Sequence, residues 1–274
     1  MSSKVNYGKY RVNTNGLIFR VDGYSDRSYD HNTEYWRDLT PSGLDVKLQN
    51  SGLYDTTSGY YKFRKGSTNS YGAVSGSNFT GLRSLGAFKD KDSSFTIETF
   101  FQIKTGEGSA PDNGAVIFGN TDHNKSGYSY GFVALTGQGG EISGLNAVLA
   151  SNKTDGVETH NPWTGITGVL SDPASPSIAP NTFHHAAMTY SANDGMALSY
   201  LDGVVKNSGS FPASGQELHK ASGSSNYHQL FIGGNNSSGL NVDVGMVSCY
   251  NRALSSGEVL GNCQAVKHRY GGGY

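Results

Sequence analysis

Between Ser94 and Lys104 the chain reads SFTIETFFQIK, and its apolar positions alternate. Phe95, Ile97, Thr99, Phe101 and Ile103 fall on one face; Thr96, Glu98, Phe100, Gln102 and Lys104 fall on the other. A period of two with β-branched and aromatic residues predicts a strand. Because each face carries a phenylalanine, the strand belongs in the middle of a sheet. Shorter runs of the same kind recur: GLIFRVD from Gly16, GYYKFRK, YGAVSG, SLGAF, GAVIFGN, YSYGFVALT, GLNAVLAS, HQLFIGGN and NVDVGMVSCYN. From Thr182 the runs TFHHAAMTYS, MALSYL and VVKNSG are separated by turns ending in Asp194-Gly195 and Asp202-Gly203. Asp-Gly between apolar runs is a strong hairpin signal, so residues 182–208 are predicted to form a three-stranded antiparallel meander.

The period changes once, near the end. Ser255-Ser256-Gly257-Glu258 matches the S-x-x-E capping box, and Val259, Cys263 and Val266 recur at helical spacing behind it. Lys267, His268 and Arg269 suit the negative end of a helix dipole, and Gly271 suits its termination. The pattern predicts one helix over about 256–269. A helix this short is not stable alone in water, so its apolar stripe must lie on the β-structure, covering an edge or an open face.

Residues 1–15 lack periodicity and read as an arm. A single β-domain is expected over 16–274, interrupted by a long loop over 151–181 that holds Pro162, Pro173, Pro176 and Pro180. Loops of this length usually carry a function or remain disordered.

Composition narrows the classes. Only 16% of the 274 residues are charged, the net charge is −1, and there are 38 glycines and 17 tyrosines. The surface is polar through hydroxyls and amides, a profile that suits particle-surface and extracellular β-proteins. A near-zero charge without a basic, aromatic-studded stripe argues against nucleic acid as a partner. No apolar run reaches the length of a membrane helix, and the start, MSSKVNYGKY, lacks the apolar segment of a secretory signal. Cys249 and Cys263 read as small buried apolar residues.

Several of these segments, in order, resemble the concanavalin A-like lectin/glucanase superfamily in its laminin-G-like branch. They are GLIFRVD with the later WRDLTPSG, SFTIETFFQIK, NTFHHAAMTYSANDGMALSYLDGVV, LFIGGN and VDVGMVSCYNRALSSGEVLGNCQAVKHRYG. Phe100 and Phe183 stand where the family usually has tryptophan. Val244 replaces the family's acidic residue and Ser248 its arginine, while Asp243 remains. The resemblance implies an antiparallel β-sandwich of jelly-roll type with a short C-terminal helix. The ending with its long R-Y tail is most similar to modules in tailed-bacteriophage virion proteins. It implies a non-enzymatic virion surface protein: a capsid decoration, head fibre or tail-fibre component, made in the host cytoplasm. Other virion proteins or copies of the same chain would be its partners, in a homo-oligomer. The alternative is a lectin-like, carbohydrate-binding module or adhesin.

Glucanases of this superfamily place carboxylates two apart on one strand, so that both enter one cleft. Glu98 stands alone on its strand and reads as a polar or edge-pairing position. Glu158 and His160 lack a second acid. His184 and His185 point to opposite faces and cannot share a metal ion, which predicts one packed and one exposed histidine. Calcium takes loop carboxylates, amides and carbonyls. Asp122 with Asn120 and Asn124, or Asp26 with Asp30 and Asn32, are candidate ligands, although Asp and Asn are also ordinary turn formers. No other cofactor is indicated. In the long loop, His160, Asn161, Pro162 and Trp163 form a candidate binding segment. Trp163 could stack on a sugar ring, anchor a neighbouring subunit or cap the sandwich. Trp36 reads as a core or corner residue.

Overall fold

The computed structural model describes residues 11–29, 34–50, 53–55, 57–74, 93–105, 107, 109, 112, 115–120, 130–136, 142–149, 151–152, 168–169, 178–210, 217–218, 230–234 and 239–270. Among them the strands are, in chain order, β1 (Leu17–Asp22), β2 (Tyr35–Trp36), β3 (Val46–Gln49), β4 (Leu53–Asp55), β5 (Tyr60–Phe63), β6 (Tyr71–Val74), β7 (Phe95–Ile103), β8 (Ala115–Asn120), β9 (Tyr130–Thr136), β10 (Ile142–Leu149), β11 (Ser151–Asn152), β12 (Gly168–Val169), β13 (Phe183–Ser191), β14 (Met196–Leu201), β15 (Val204–Ser210), β16 (Glu217–Leu218), β17 (Leu230–Ile232) and β18 (Val242–Tyr250). One helix, α1 (Ser256–Lys267), follows and runs into a 3-10 turn, His268–Tyr270.

Two antiparallel sheets form the sandwich. The first runs β15-β14-β13-β7-β18-β5-β4, with β1 also on β18; the second runs β12-β10-β9-β8-β17-β6-β3-β2. β7 lies along the length of β18, so the other edge of β18 is divided: Val242–Val244 pairs with β5, and Met246–Tyr250 pairs with β1. At the junction Gly23 donates its N–H to the Gly245 carbonyl at 2.8 Å. The central position of β7 is the one its two apolar faces require. Its odd positions Phe95, Ile97, Phe101 and Ile103 meet Phe19, Phe63, Val247 and Cys249 of the same sheet and Trp36, Val46, Phe118 and Phe132 from the second, in one core.

Local chemistry explains the turns. The carboxylate of Asp38 accepts the N–H groups of Arg20 (2.9 Å), Thr40 (3.0 Å) and Leu44 (3.1 Å) and the hydroxyl of Ser42 (2.5 Å), which is why aspartate is needed in WRDLTPSG. Gly43 sits there at φ +64°, a conformation that disfavours side chains. The meander forms as predicted, and Asp202 (φ 53°) with Gly203 (φ 79°) makes the β14–β15 turn.

The long loop is not wholly without partners. β11 pairs with β16 and β12 extends the second sheet beyond β10, while Ile178 enters the core. Two-residue strands are too short to leave a periodic signature. SLGAF lies outside the described residues.

Candidate functional site

The outer face of the first sheet, turned away from the second, carries a succession of layers. Strand alternation places Tyr250, Thr96, Ser248, Glu98, Arg20 and Ala187 on it, then Met246, Phe100 and His185, and last Lys62, Asp243, Gln102 and Phe183. α1 lies over the first group. Its buried residues are Val259, Asn262, Cys263, Ala265 and Val266.

The capping box sets where α1 starts. Ser255 Oγ accepts the Glu258 N–H at 3.3 Å, and Glu258 Oε2 accepts the Ser255 N–H at 2.8 Å. Arg252 pairs with Glu258 at 2.6 Å, and the Asn13 amide donates to the same carboxylate. These partners, the Arg252 hydrogen bond foremost, hold the Glu258 carboxyl down at about 2. The arm's last residues therefore dock beside the helix rather than projecting from the body: Val12 packs with Phe100, Met246, Val266 and Tyr270.

Beneath α1 lies a fully enclosed polar network. The Asn262 amide nitrogen stands 3.1 and 3.0 Å from the two oxygens of Glu98 and 3.0 Å from the Tyr250 hydroxyl. Its oxygen accepts the Asn13 N–H at 2.7 Å. His185 Nε2 is 3.7 Å from Glu98 Oε1, and neither ring nitrogen has a hydrogen-bond partner. Glu98 and His185 are both 0% exposed. Burial pushes the Glu98 carboxyl up to about 7, against the pull of Asn262 and Arg20. Burial pushes the His185 imidazole down to about 4.

A second set closes the far end of the helix. Asp22 is paired with Arg20 at 2.7 Å and with Arg269 at 2.5 Å. Burial opposes ionisation of Asp22, but the two guanidinium groups hold its carboxyl below the ordinary value. The Tyr270 hydroxyl donates to the Gly245 carbonyl at 2.9 Å, and a Cβ on Gly245 would come within 2.4 Å of the Tyr270 ring. The R-Y pair at the end of the sequence thus has a definite task. Arginine neutralises a buried aspartate, and tyrosine seals the sheet where glycine leaves room.

Some sequence expectations change. Both histidines are buried, at 8% for His184 and 0% for His185. They do face opposite ways, His184 on the side of Phe101 and His185 on the side of Phe100, but neither is exposed. His184 Nδ1 is 2.8 Å from Asp202 Oδ2. Glu98 is a buried polar position on the central strand β7, as its strand was expected to be, and not an edge-pairing one. Cys249 and Cys263 are free and buried, and Trp36 is fully buried. The candidate residues His160, Asn161, Pro162, Trp163, Asp122, Asn124, Asp30 and Asn32 lie outside the described residues; Asn120 closes β8. Among the described residues, no group of three or more His, Cys, Asp or Glu is placed to hold a metal ion. Sequence reading missed Asn262, whose signal is an amide at i+3 from Val259 within the buried stripe. It also missed the pairing of Asp22 with Arg269, which nothing local announces.

Among the described residues, the enclosed network anchors the helix and presents no carboxyl to solvent. Most glycoside hydrolases use two carboxyls facing the bond, roughly 5–9.5 Å apart. Glu98 has no surface, and Asp22, at 2% exposure, is occupied by two arginines.

A helix-backed antiparallel sandwich with two large sheets defines a lectin-like jelly roll. The Laminin_G_3 family model matches residues 75–260, and the chain belongs to the concanavalin A-like lectin/glucanases superfamily. A comparison with curated proteins returned no match. Among solved structures, the Trypanosoma rangeli sialidase in complex with the inhibitor DANA is similar at 14% identity and TM-score 0.57, over 92% of this chain and 33% of that one. The binding domain of botulinum neurotoxin DC is similar both in complex with rat synaptotagmin II (13%, TM-score 0.60) and in complex with SialylT (13%, TM-score 0.59). Each alignment covers 89% of this chain and 50% of that one. The chain thus spans a third to a half of the structures it matches, and at these identities the likeness is one of fold.

Proposed function

We propose that this chain is a non-enzymatic surface protein of a bacteriophage virion, a capsid decoration, head-fibre or tail-fibre component that works by assembly. The observation that carries the non-enzymatic part is the sealing of Glu98. The one carboxylate on β7 is spent, with Asn262, on fixing a helix over the sheet. The virion part is supported by the low charge and by the Y-N-R-A-L-S ending with its R-Y tail. Subunit contacts would come from the arm and from the 151–181 loop with Trp163.

The second reading is a carbohydrate-binding module. It is favoured by the similarity to a neurotoxin binding domain in complex with SialylT. Density-gradient sedimentation of the native source tests the first reading. A fixed copy number relative to particle proteins is expected. Recovery in the soluble fraction alone would reject it, and hydrolysis of a polysaccharide by the purified chain would reject both readings.

A further inference from the structure

The arm joins the sandwich through an Asn-Gly bond. Asn15 and Gly16 form the tip of a turn that Leu17 closes by donating its N–H to the Thr14 carbonyl at 3.2 Å. The arm's anchors precede this bond: Val12 in its apolar cluster, the Asn13 N–H on Asn262, the Asn13 amide on Glu258, and the Asn13 carbonyl, which accepts the Tyr250 hydroxyl at 3.1 Å. After it the chain is fixed in β1. Asn15-Gly16 is therefore the joint between the arm and the body.

Asparagine before glycine is prone to close on itself, because no side chain shields the glycine nitrogen from the asparagine Cγ. Here packing dictates the glycine. Its φ is +76°, and a Cβ would stand 2.9 Å from Asn251 Oδ1 and 3.0 Å from Arg252 Cγ. Asn15 is exposed, and among the described residues nothing hydrogen-bonds its side-chain amide. The main chain around it is held instead. The Asn15 N–H donates to Asn13 Oδ1 at 2.9 Å, Arg252 Nε donates to the Asn15 carbonyl at 2.9 Å, and the Asn251 N–H donates to the Gly16 carbonyl at 2.9 Å. To bring the Gly16 nitrogen over Cγ, the peptide group between the two residues must turn. That group includes the carbonyl held by Arg252.

We propose that Asn15-Gly16 is a self-modification site, closed while the arm is docked and open once it lets go, at which succinimide formation frees the arm from α1 for good. The Gly16 nitrogen loses its proton to solvent base and bonds to Asn15 Cγ. The Cγ–Nδ2 bond breaks and ammonia leaves. Water then opens the ring at either carbonyl, leaving aspartate or isoaspartate at position 15. Isoaspartate lengthens the main chain by one carbon, so Asn13 no longer meets Asn262 and Glu258 in register. The inference goes beyond the proposed function and does not rest on it.

The test is mass-spectrometric peptide mapping of the full chain, incubated at mildly alkaline pH beside a synthetic RVNTNGLIFR peptide of residues 11–20. Losing ammonia and gaining water raises the mass by about one unit, and isoaspartate methyltransferase labels the rearranged product. Position 15 of the docked chain should react at least about tenfold more slowly than the peptide, because local opening precedes the attack. Arg252→Met, which releases the Asn15 carbonyl, and Asn13→Ala, which releases the arm, should each raise the rate about threefold or more. Hydrogen exchange of the converted fraction should show lost protection in the first turn of α1. Far-UV circular dichroism checks both variants, and if one misfolds the other decides. The chain's other Asn-Gly pair, Asn113-Gly114, lies outside the described residues and maps to a separate peptide. No conversion at position 15 in the variants after the peptide is consumed would overturn the site. Equal rates in the chain and its variants would overturn the gate, and unchanged protection of α1 after conversion would overturn the release.

Discussion

Asn262 and Glu98, 164 positions apart in the chain, meet under the C-terminal helix with the amide nitrogen of one 3.0–3.1 Å from both oxygens of the other. Neither contact reaches water. Replacing Asn262 by leucine takes a donor away from a buried carboxyl and should cost about 2–3 kcal/mol of unfolding free energy. Removing both partners is milder, because an apolar pair has nothing left unsatisfied. The Asn262→Leu/Glu98→Leu double variant should therefore recover part of the loss. Urea denaturation of the four chains measures the coupling directly.

The pair Glu98 and His185 has its protons in the opposite order from a free chain. In the unfolded state glutamate titrates near 4.5 and histidine near 6.5; in the folded state they stand at about 7 and about 4. A raised carboxyl gives stability that is present below pH 4.5 and lost as pH rises through 7. A lowered imidazole gives stability that is present above pH 6.5 and lost as pH falls through 4. Between pH 4.5 and 6.5 the two slopes oppose each other, so the pair should leave stability nearly flat. Single variants should unmask the slopes. His185→Gln should lose stability as pH rises across that window and Glu98→Gln as it falls, each by at most about 1.4 kcal/mol per pH unit. Urea midpoints at pH 4.5, 5.5 and 6.5 decide it; parallel curves for both variants would reject the inverted order.

Much of this architecture is legible in the sequence where its cause is local. The alternation of SFTIETFFQIK is visible because one face enters the core, and the Asp-Gly turns because their backbone demands those residues. The capping box is visible because Ser255 and Glu258 are three residues apart. What the sequence hides are contacts whose partners are remote. Nothing near His185 says that a helix 70 or more positions later will cover it. Asp22 and Arg269 come from opposite ends of the chain, and Lys62, Asp243, Gln102 and Phe183 line up only when β5, β18, β7 and β13 take their order. The binding segment around Trp163 is marked by a loop tryptophan stiffened by Pro162, a cue that speaks to side-chain chemistry and not to placement.

Gly245 should tolerate no side chain. A Cβ there would stand 2.4 Å from the Tyr270 ring, inside any allowed contact. Gly245→Ala therefore has to displace Tyr270, breaking its 2.9 Å hydrogen bond and loosening Arg269 from Asp22. A loss of about 1–3 kcal/mol is expected, the usual cost of overpacking. Hydrogen exchange should localise it: amides near the end of α1 and in the 3-10 turn should lose protection, while those of β13 and β14 keep theirs. Uniform loss across both sheets would contradict this assignment.

The two cysteines give a clock for helix release. Cys249 faces the sandwich core, and burial raises its thiol well above the ordinary range. Cys263 lies on the buried face of α1 at 4% exposure, and burial pushes its thiol up to about 12. A thiol reagent should reach Cys263 by undocking of the helix alone, whereas Cys249 needs the sheets to part. Local opening costs less than global unfolding, so Cys263 should react faster by at least about tenfold, a gap of some 1.4 kcal/mol. Val12→Asp removes the arm residue that packs against the end of α1 and should accelerate Cys263 while leaving Cys249 unchanged. Equal rates for both thiols, in either chain, would mean that helix and sandwich open as one unit.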